Sequence, residues 1–90
     1  MHISVEWDAA KAAANRRKHG VSFDEAVTAL LDPRALARED GLSEGEARWI
    51  LLGMSSRLRL LTVVYTLRRD ERIRLISARK ATRREAKFYA

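Results

Sequence analysis

A chain of ninety residues buries only about 60 to 65 per cent of its unfolded surface, so it builds one core, residues 1–90 form one domain, and a separate catalytic domain is excluded. Without cysteine there is no disulfide framework, thiolate nucleophile or cysteine zinc site, which fits a reducing cytoplasm. A net charge of +6 points to a polyanion or an acidic protein as partner, and neither a secretory signal nor an apolar run near the roughly 18 residues of a membrane span is present, so a soluble, cytoplasmic protein is expected.

In chain order, residues 3–7 alternate as IxVxW, which puts Ile3, Val5 and Trp7 on one face of a short first strand. Asp8 is placed to cap a helix, because its carboxylate accepts from the free N–H groups of the next turn. Residues 11–18 continue with good helix formers up to Gly20, which takes a left-handed stop at no steric cost. Trp7, Ala10 and Ala14 give this helix an apolar stripe. Ser22 and Glu25 form a capping box for a second helix, in which Phe23, Ala26, Val27, Leu30 and Leu31 recur at i, i+3, i+4, i+7 and i+8. Asp32-Pro33 ends it, since the proline ring disfavours α geometry in the residue before it.

Residues 35–46 are acidic and hold two of the four glycines, and read mainly as loop. Residues 48–54, RWILLGM, are an apolar run of strand length, and Ser55 and Ser56 turn the chain. Two β-branched runs follow, at residues 62–66 and at Ile73, Leu75 and Ile76, joined by the polar link 68–71 into an antiparallel hairpin. Thr82 and Glu85 form a second capping box that opens a basic C-terminal helix near Ala81. The predicted order is βααβββα, an α+β fold in which an antiparallel sheet carries its helices on one face.

The charge concentrates where that hairpin lies. Residues 57–87 hold eleven Lys or Arg against three acids, so the rest of the chain has a net charge of −2. RNA cleavage without a metal uses the neighbouring 2′-hydroxyl as nucleophile and needs a base beside it, cations on the phosphate and an acid for the departing 5′-oxygen. Arg57, Arg59, Arg68, Arg72, Arg74, Arg79 and Lys80 supply cations. In a regular hairpin Ser77 and Arg79 share a face with Ile73 and Leu75, while Arg72 and Arg74 share the other with Ile76 and Ala78. Neither face is wholly apolar, so one end of the sheet is expected to be a wet, cationic site. The competing reading makes these arginines solubilising edge residues.

Tyr65 alternates with Leu61 and Val63, which also suits a core tyrosine with its hydroxyl at the rim. His19, beside Lys18 at the end of the first helix, is a candidate acid or phosphate contact and equally a helix cap. Trp49 suits core packing, while Glu46 and Arg48 border the loop and either pair or line the site. His2 and His19 have no metal-ligand spacing, and no glycine-rich phosphate loop or Ser/His/Asp constellation is present, so no metal or cofactor is expected.

Three stretches, residues 6–26, 45–55 and 57–89, together resemble the BrnT toxin family. The most specific segments are W-D-x-x-K-x-x-x-N-x-x-K-H-G-V-S-F, from Trp7 to Phe23, and I-S-A-R-x-A-x-x-x-E, from Ile76 to Glu85. The resemblance implies a ribonuclease toxin of a type II toxin-antitoxin system with a fold similar to RelE toxins, and a BrnA-like antitoxin as partner. It also implies a heterotetramer around an antitoxin dimer, with operator DNA bound only through the antitoxin. Carried over by position, the matching site residues are Lys18, His19, Arg57, Arg59, Tyr65 and Arg79. The chain departs from the family pattern at Leu67, where an acid or other polar residue often follows the strand threonine, so a glutamate base at that place is missing. Gly41-Leu42-Ser43 also replaces a more polar stretch.

The leading expectation is a metal-independent endoribonuclease that makes a 2′,3′-cyclic phosphate and inhibits translation. Arg79 and Arg57 hold the phosphate, His19 or Tyr65 transfers a proton, and Lys18, Arg59, Arg74 and Lys80 bind RNA. The alternative is a non-catalytic basic module that docks its antitoxin and acts as co-repressor. A plain sheet-surface RNA binder is weaker, because a row of exposed aromatics is lacking.

Overall fold

Apolar residues at every second position of the three long C-terminal strands must be covered, and in this computed structural model two helices cover them. Residues 4–43, 45–68 and 71–89 are described. The elements run β1 (Ser4–Glu6), α1 (Ala9–His19), α2 (Phe23–Leu30), β2 (Leu36–Ser43), β3 (Glu46–Met54), β4 (Leu60–Leu67), β5 (Arg72–Lys80) and α3 (Arg83–Ala86). The sheet order is β1-β5-β4-β3-β2. The α+β class agrees with the reading of the sequence. Ile3 of the expected first strand, His2, and Arg69 and Asp70 of the expected link lie outside the described residues.

Three particulars differ from expectation. The acidic stretch read as loop contains β2, an edge strand paired with β3 from Leu36 opposite Leu52 to Ser43 opposite Glu46, with an irregularity between Glu39 and Leu42. Its charged residues hid it, although charge is how an edge strand discourages further pairing. The sheet is mixed rather than antiparallel, because β1 runs parallel to β5, with Ser4 opposite Arg72 and Glu6 opposite Arg74. And α3 does not join the other helices. Glu85 and Phe88, in and just after it, border a groove with Leu36, Ile50, Leu52 and Thr62 on the opposite face.

The core lies between the sheet and the first two helices. Val21, Phe23, Ala26 and Ala29 meet Leu51, Leu61, Val63, Tyr65, Leu75 and Ala78, and Trp7 packs edge to face on Phe23 with centroids 5.9 Å apart. Full burial of a side chain such as Leu61 or Phe23 contributes about 1.5 to 3 kcal/mol. Gly53 allows the closest approach, since a Cβ there would lie 2.5 Å from the Ala29 carbonyl oxygen. Leu31, expected on the apolar stripe of α2, is exposed instead.

α1 turns Ala12 and Asn15 inward, while Ala10 and Ala14 of the expected stripe are exposed. Asn15 accounts for this. β1 reaches only as far as Arg74 on the outer edge of β5, and beyond it the Asn15 amide takes the place of a neighbouring strand. Its Nδ2 donates to the Ala78 carbonyl at 2.8 Å and to the Val21 carbonyl at 3.0 Å, while its Oδ1 accepts from the Ala78 N–H at 3.1 Å. Asn15→Ala leaves three buried backbone groups short of a partner and is expected to cost about 2 kcal/mol. Urea unfolding checks this, and an unchanged midpoint would refute the edge-sealing role.

Candidate functional site

The face of the sheet turned away from α1 and α2 is set by the register. Across it the rows read Arg79, Thr62, Leu52 and Leu36; then Ser77, Val64, Ile50 and Arg38; then Arg74, Thr66 and Arg48. A bulge produces this grouping. Val64 faces Ser77 but Tyr65 faces Leu75, so Ile76 is an extra residue on β5. The regular hairpin expected from the sequence put Arg74 and Arg79 on opposite faces. One inserted residue reverses the alternation beyond it, and Arg74, Ser77 and Arg79 share the open face while Ile73, Leu75 and Ala78 face the core.

At one end of this face Arg79 is held in a two-pronged pair with Glu85, Nη1 to Oε1 at 2.7 Å and Nη2 to Oε2 at 2.9 Å. Glu85 also accepts from the Thr62 hydroxyl at 3.1 Å and the Thr82 N–H at 2.8 Å, which completes the expected capping box. The Arg79 guanidinium, with help from the Thr82 N–H and the Thr62 hydroxyl, pulls the Glu85 carboxyl down to about 2, so near neutral pH it is ionised, has no proton to give as an acid and is only a weak base. Arg79 remains 39% exposed and can still meet a ligand.

Beside this pair is a groove of about 330 Å³ lined by Leu36, Arg38, Ile50, Leu52, Thr62 and Phe88. At the other end Arg68 lies 3.9 Å from both Glu6 and Glu46, and Arg72 lies 3.5 Å from Glu6.

The remaining predicted residues do not converge on Arg79. Tyr65 is in the core on the covered side, and desolvation raises its phenol. Arg57 stands 73% exposed in the β3–β4 turn. Arg59 is consumed by Glu25, with Nε on Oε2 at 2.8 Å and Nη2 on Oε1, and it donates a further bond to the Gly20 carbonyl at 3.3 Å. Lys18 and His19 end α1, and His19 has no hydrogen bond or ion pair to Arg57 or Arg79 among the described residues. Lys80, opposite Leu61, falls on the covered side. Of the eight residues singled out from the sequence, Arg74 and Arg79 lie on the open face.

Sequence reasoning missed three parts of this arrangement. Glu85 was read only as a cap, although Arg79 six residues earlier in the chain is the partner that gives it a second role. Thr62 and Thr66 were read only as β-formers. Glu25 was read as the second half of a capping box. Ser22 does accept from the Glu25 N–H at 3.1 Å, but the Glu25 carboxylate turns inward to Arg59 and Ser55. Leu67, whose identity departs from the family pattern, pairs with Ile73 on the covered side.

This fold, a mixed five-stranded sheet with two helices over one face, is similar to that of a small ribonuclease toxin of known structure. The 1.1 Å crystal structure of the Brucella abortus ribonuclease toxin BrnT matches it with a TM-score of 0.66 at 23% identity, over 91% of this chain and 100% of that one. Residues 7–85 match the family described as the ribonuclease toxin BrnT of type II toxin-antitoxin systems, and the chain belongs to that family. Among curated proteins, none matches it.

Proposed function

We propose that the protein cleaves RNA laid across the open face of its sheet, without a metal, by attack of the neighbouring 2′-hydroxyl on the phosphate. The O2′–P bond forms as the P–O5′ bond breaks, leaving a 2′,3′-cyclic phosphate and a free 5′-hydroxyl. The observation that carries this reading is the bulge-created face, where arginines stand among serine and threonine hydroxyls with no helix over most of it. Cations fixed where charge develops are the main means of stabilising such a transition state. Among the described residues no three His, Asp or Glu side chains cluster as metal ligands.

Arg79 is the leading phosphate contact, because Glu85 orients it and leaves its outer edge accessible. The burial of Tyr65 argues against it as one of the two proton-transfer candidates read from the sequence, and neither the other, His19 at the end of α1, nor the expected phosphate contact Arg57 in the β3–β4 turn belongs to the open face. Glu6 and Glu46, held in long ion pairs with Arg68 and Arg72 at the other end of the open face, are the carboxylate candidates for the base.

A BrnA-like antitoxin, which brings operator DNA to the pair in a heterotetramer, would neutralise the toxin by covering this face, and growth inhibition in the cytoplasm would follow from loss of translated RNA. The test is cleavage of a defined RNA by purified protein in EDTA, with and without added ribosomes. Cyclic-phosphate ends are expected in one or both conditions. Folded protein that leaves RNA intact in both would favour the docking-module reading instead.

A further inference from the structure

The arginines of the open face differ in whether a carboxylate already satisfies them. Arg79 is matched by Glu85, Arg38 lies 3.4 Å from Asp40, and Arg68 and Arg72 approach Glu6 and Glu46. Arg48 and Arg74 have no ion pair among the described residues. They stand on either side of Thr66, since the register places Arg48 opposite Thr66 on β3 and Arg74 opposite Thr66 on β5. Arg48 Nε is buried and has no hydrogen-bond partner among the described residues. Asp8 lies near enough to Arg74 to feel its charge but forms no ion pair with it.

We propose that Arg48 and Arg74, with the Thr66 hydroxyl between them, form a second phosphate site that holds the RNA strand away from Arg79. This rests on the reading of the open face as the RNA-binding surface and adds to it residues that position substrate. Two planar guanidiniums across one sheet row suit a phosphate, whose oxygens accept from both sides. Along β5 Arg74 and Arg79 are about 15 Å apart, so one strand of several nucleotides occupies both sites. An oligonucleotide with a single phosphate reaches only one.

The test is binding of a fluorescent RNA decamer, blocked at its 2′-hydroxyls so that it cannot be cleaved, as a function of salt. Wild type is compared with Arg48→Gln, Arg74→Gln and, as an exposed control on α1, Arg17→Gln, each checked for an unchanged thermal midpoint. Each site variant is expected to bind roughly tenfold more weakly and to lower the log–log salt slope by about 0.7, the value for one contact on a single strand, while the control changes neither. A wild-type slope in both variants while Arg79→Gln loses affinity overturns the second site and leaves the RNA reading standing. Unchanged RNA binding with weakened antitoxin binding also overturns it and assigns the two arginines to protein docking. Folded wild type that does not bind the decamer at all overturns both.

Discussion

Glu25→Ala is expected to destabilise the protein by about 3 to 5 kcal/mol, a large part of the roughly 5 to 15 kcal/mol available to a natural domain. The Glu25 side chain is 3% exposed, and both of its oxygens are used. Arg59 grips it through Nε and Nη2, and the Ser55 hydroxyl donates to Oε2 at 2.7 Å. Ser55 Oγ in turn accepts from the Arg57 and Arg59 N–H groups at 3.2 and 3.3 Å, and the Thr28 hydroxyl accepts from the Ser56 N–H at 2.9 Å, so the β3–β4 turn is fastened to α2.

Truncation leaves the Arg59 guanidinium half-buried and unpaired, and leaves Ser55 without its acceptor. Glu25→Gln keeps the shape and removes the charge, so its loss measures the ionic part. The Arg59 hydrogen bonds hold the Glu25 carboxyl below the usual glutamate range, against a smaller upward push from burial. Its stabilising contribution is therefore complete above the ordinary glutamate pKa and is lost as pH falls through the lowered one. Urea unfolding at neutral and acid pH reads both effects. A Glu25→Ala midpoint equal to wild type at neutral pH would refute the assignment.

The parts of this fold that could be read in the sequence are those where one local rule acts alone. Asp8 accepts from the Ala10 and Lys11 N–H groups at 2.7 and 3.2 Å, Gly20 adopts φ 71° after α1, and Thr82 with Glu85 closes a full capping box. Each of these is a contact within a few residues, and its residue types announce it. The misread parts depend on distant partners. Nothing near Asn15 in the sequence says that Ala78, sixty-three positions away, needs an edge partner. β2 looks polar because it has only one neighbouring strand.

The bulge mattered most for the site. A period-2 reading of residues 72–80 is internally consistent, and only the pairing with β4 reveals that Ile76 is surplus. That single residue decides whether Arg74 and Arg79 act on one ligand or face away from each other. Nor does sequence tell a satisfied arginine from an unsatisfied one. Arg59 and Arg48 look alike in the chain, yet one is locked onto a buried carboxylate and the other has a donor with no acceptor among the described residues.

The second large effect expected is on cleavage, where Arg79→Ala should slow turnover of RNA by about 100- to 1,000-fold, the usual cost of removing one preorganised donor to developing charge. The geometry makes Arg79 more than a mobile cation. Glu85 fixes the plane of its guanidinium, and α3 fixes Glu85 through the Thr82 cap. Arg79→Lys keeps the charge but loses the two-pronged grip, so it should recover little of the rate. Glu85→Gln should fall between, because it retains a hydrogen-bond acceptor but releases the guanidinium to rotate.

Stability separates a catalytic loss from a folding loss. The pair is partly open to solvent, so Arg79→Ala should cost only about 1 kcal/mol. Because the Glu85 carboxyl is lowered to about 2 from 4.5, the contribution of the pair is present above pH 4.5 and fades as the pH drops toward 2. Wild type should therefore lose a component of stability over that window that Arg79→Ala lacks. If Arg79→Ala cleaves RNA at the wild-type rate, the phosphate is held elsewhere on the face, and the acid-stability difference would persist as a purely structural effect of the same pair.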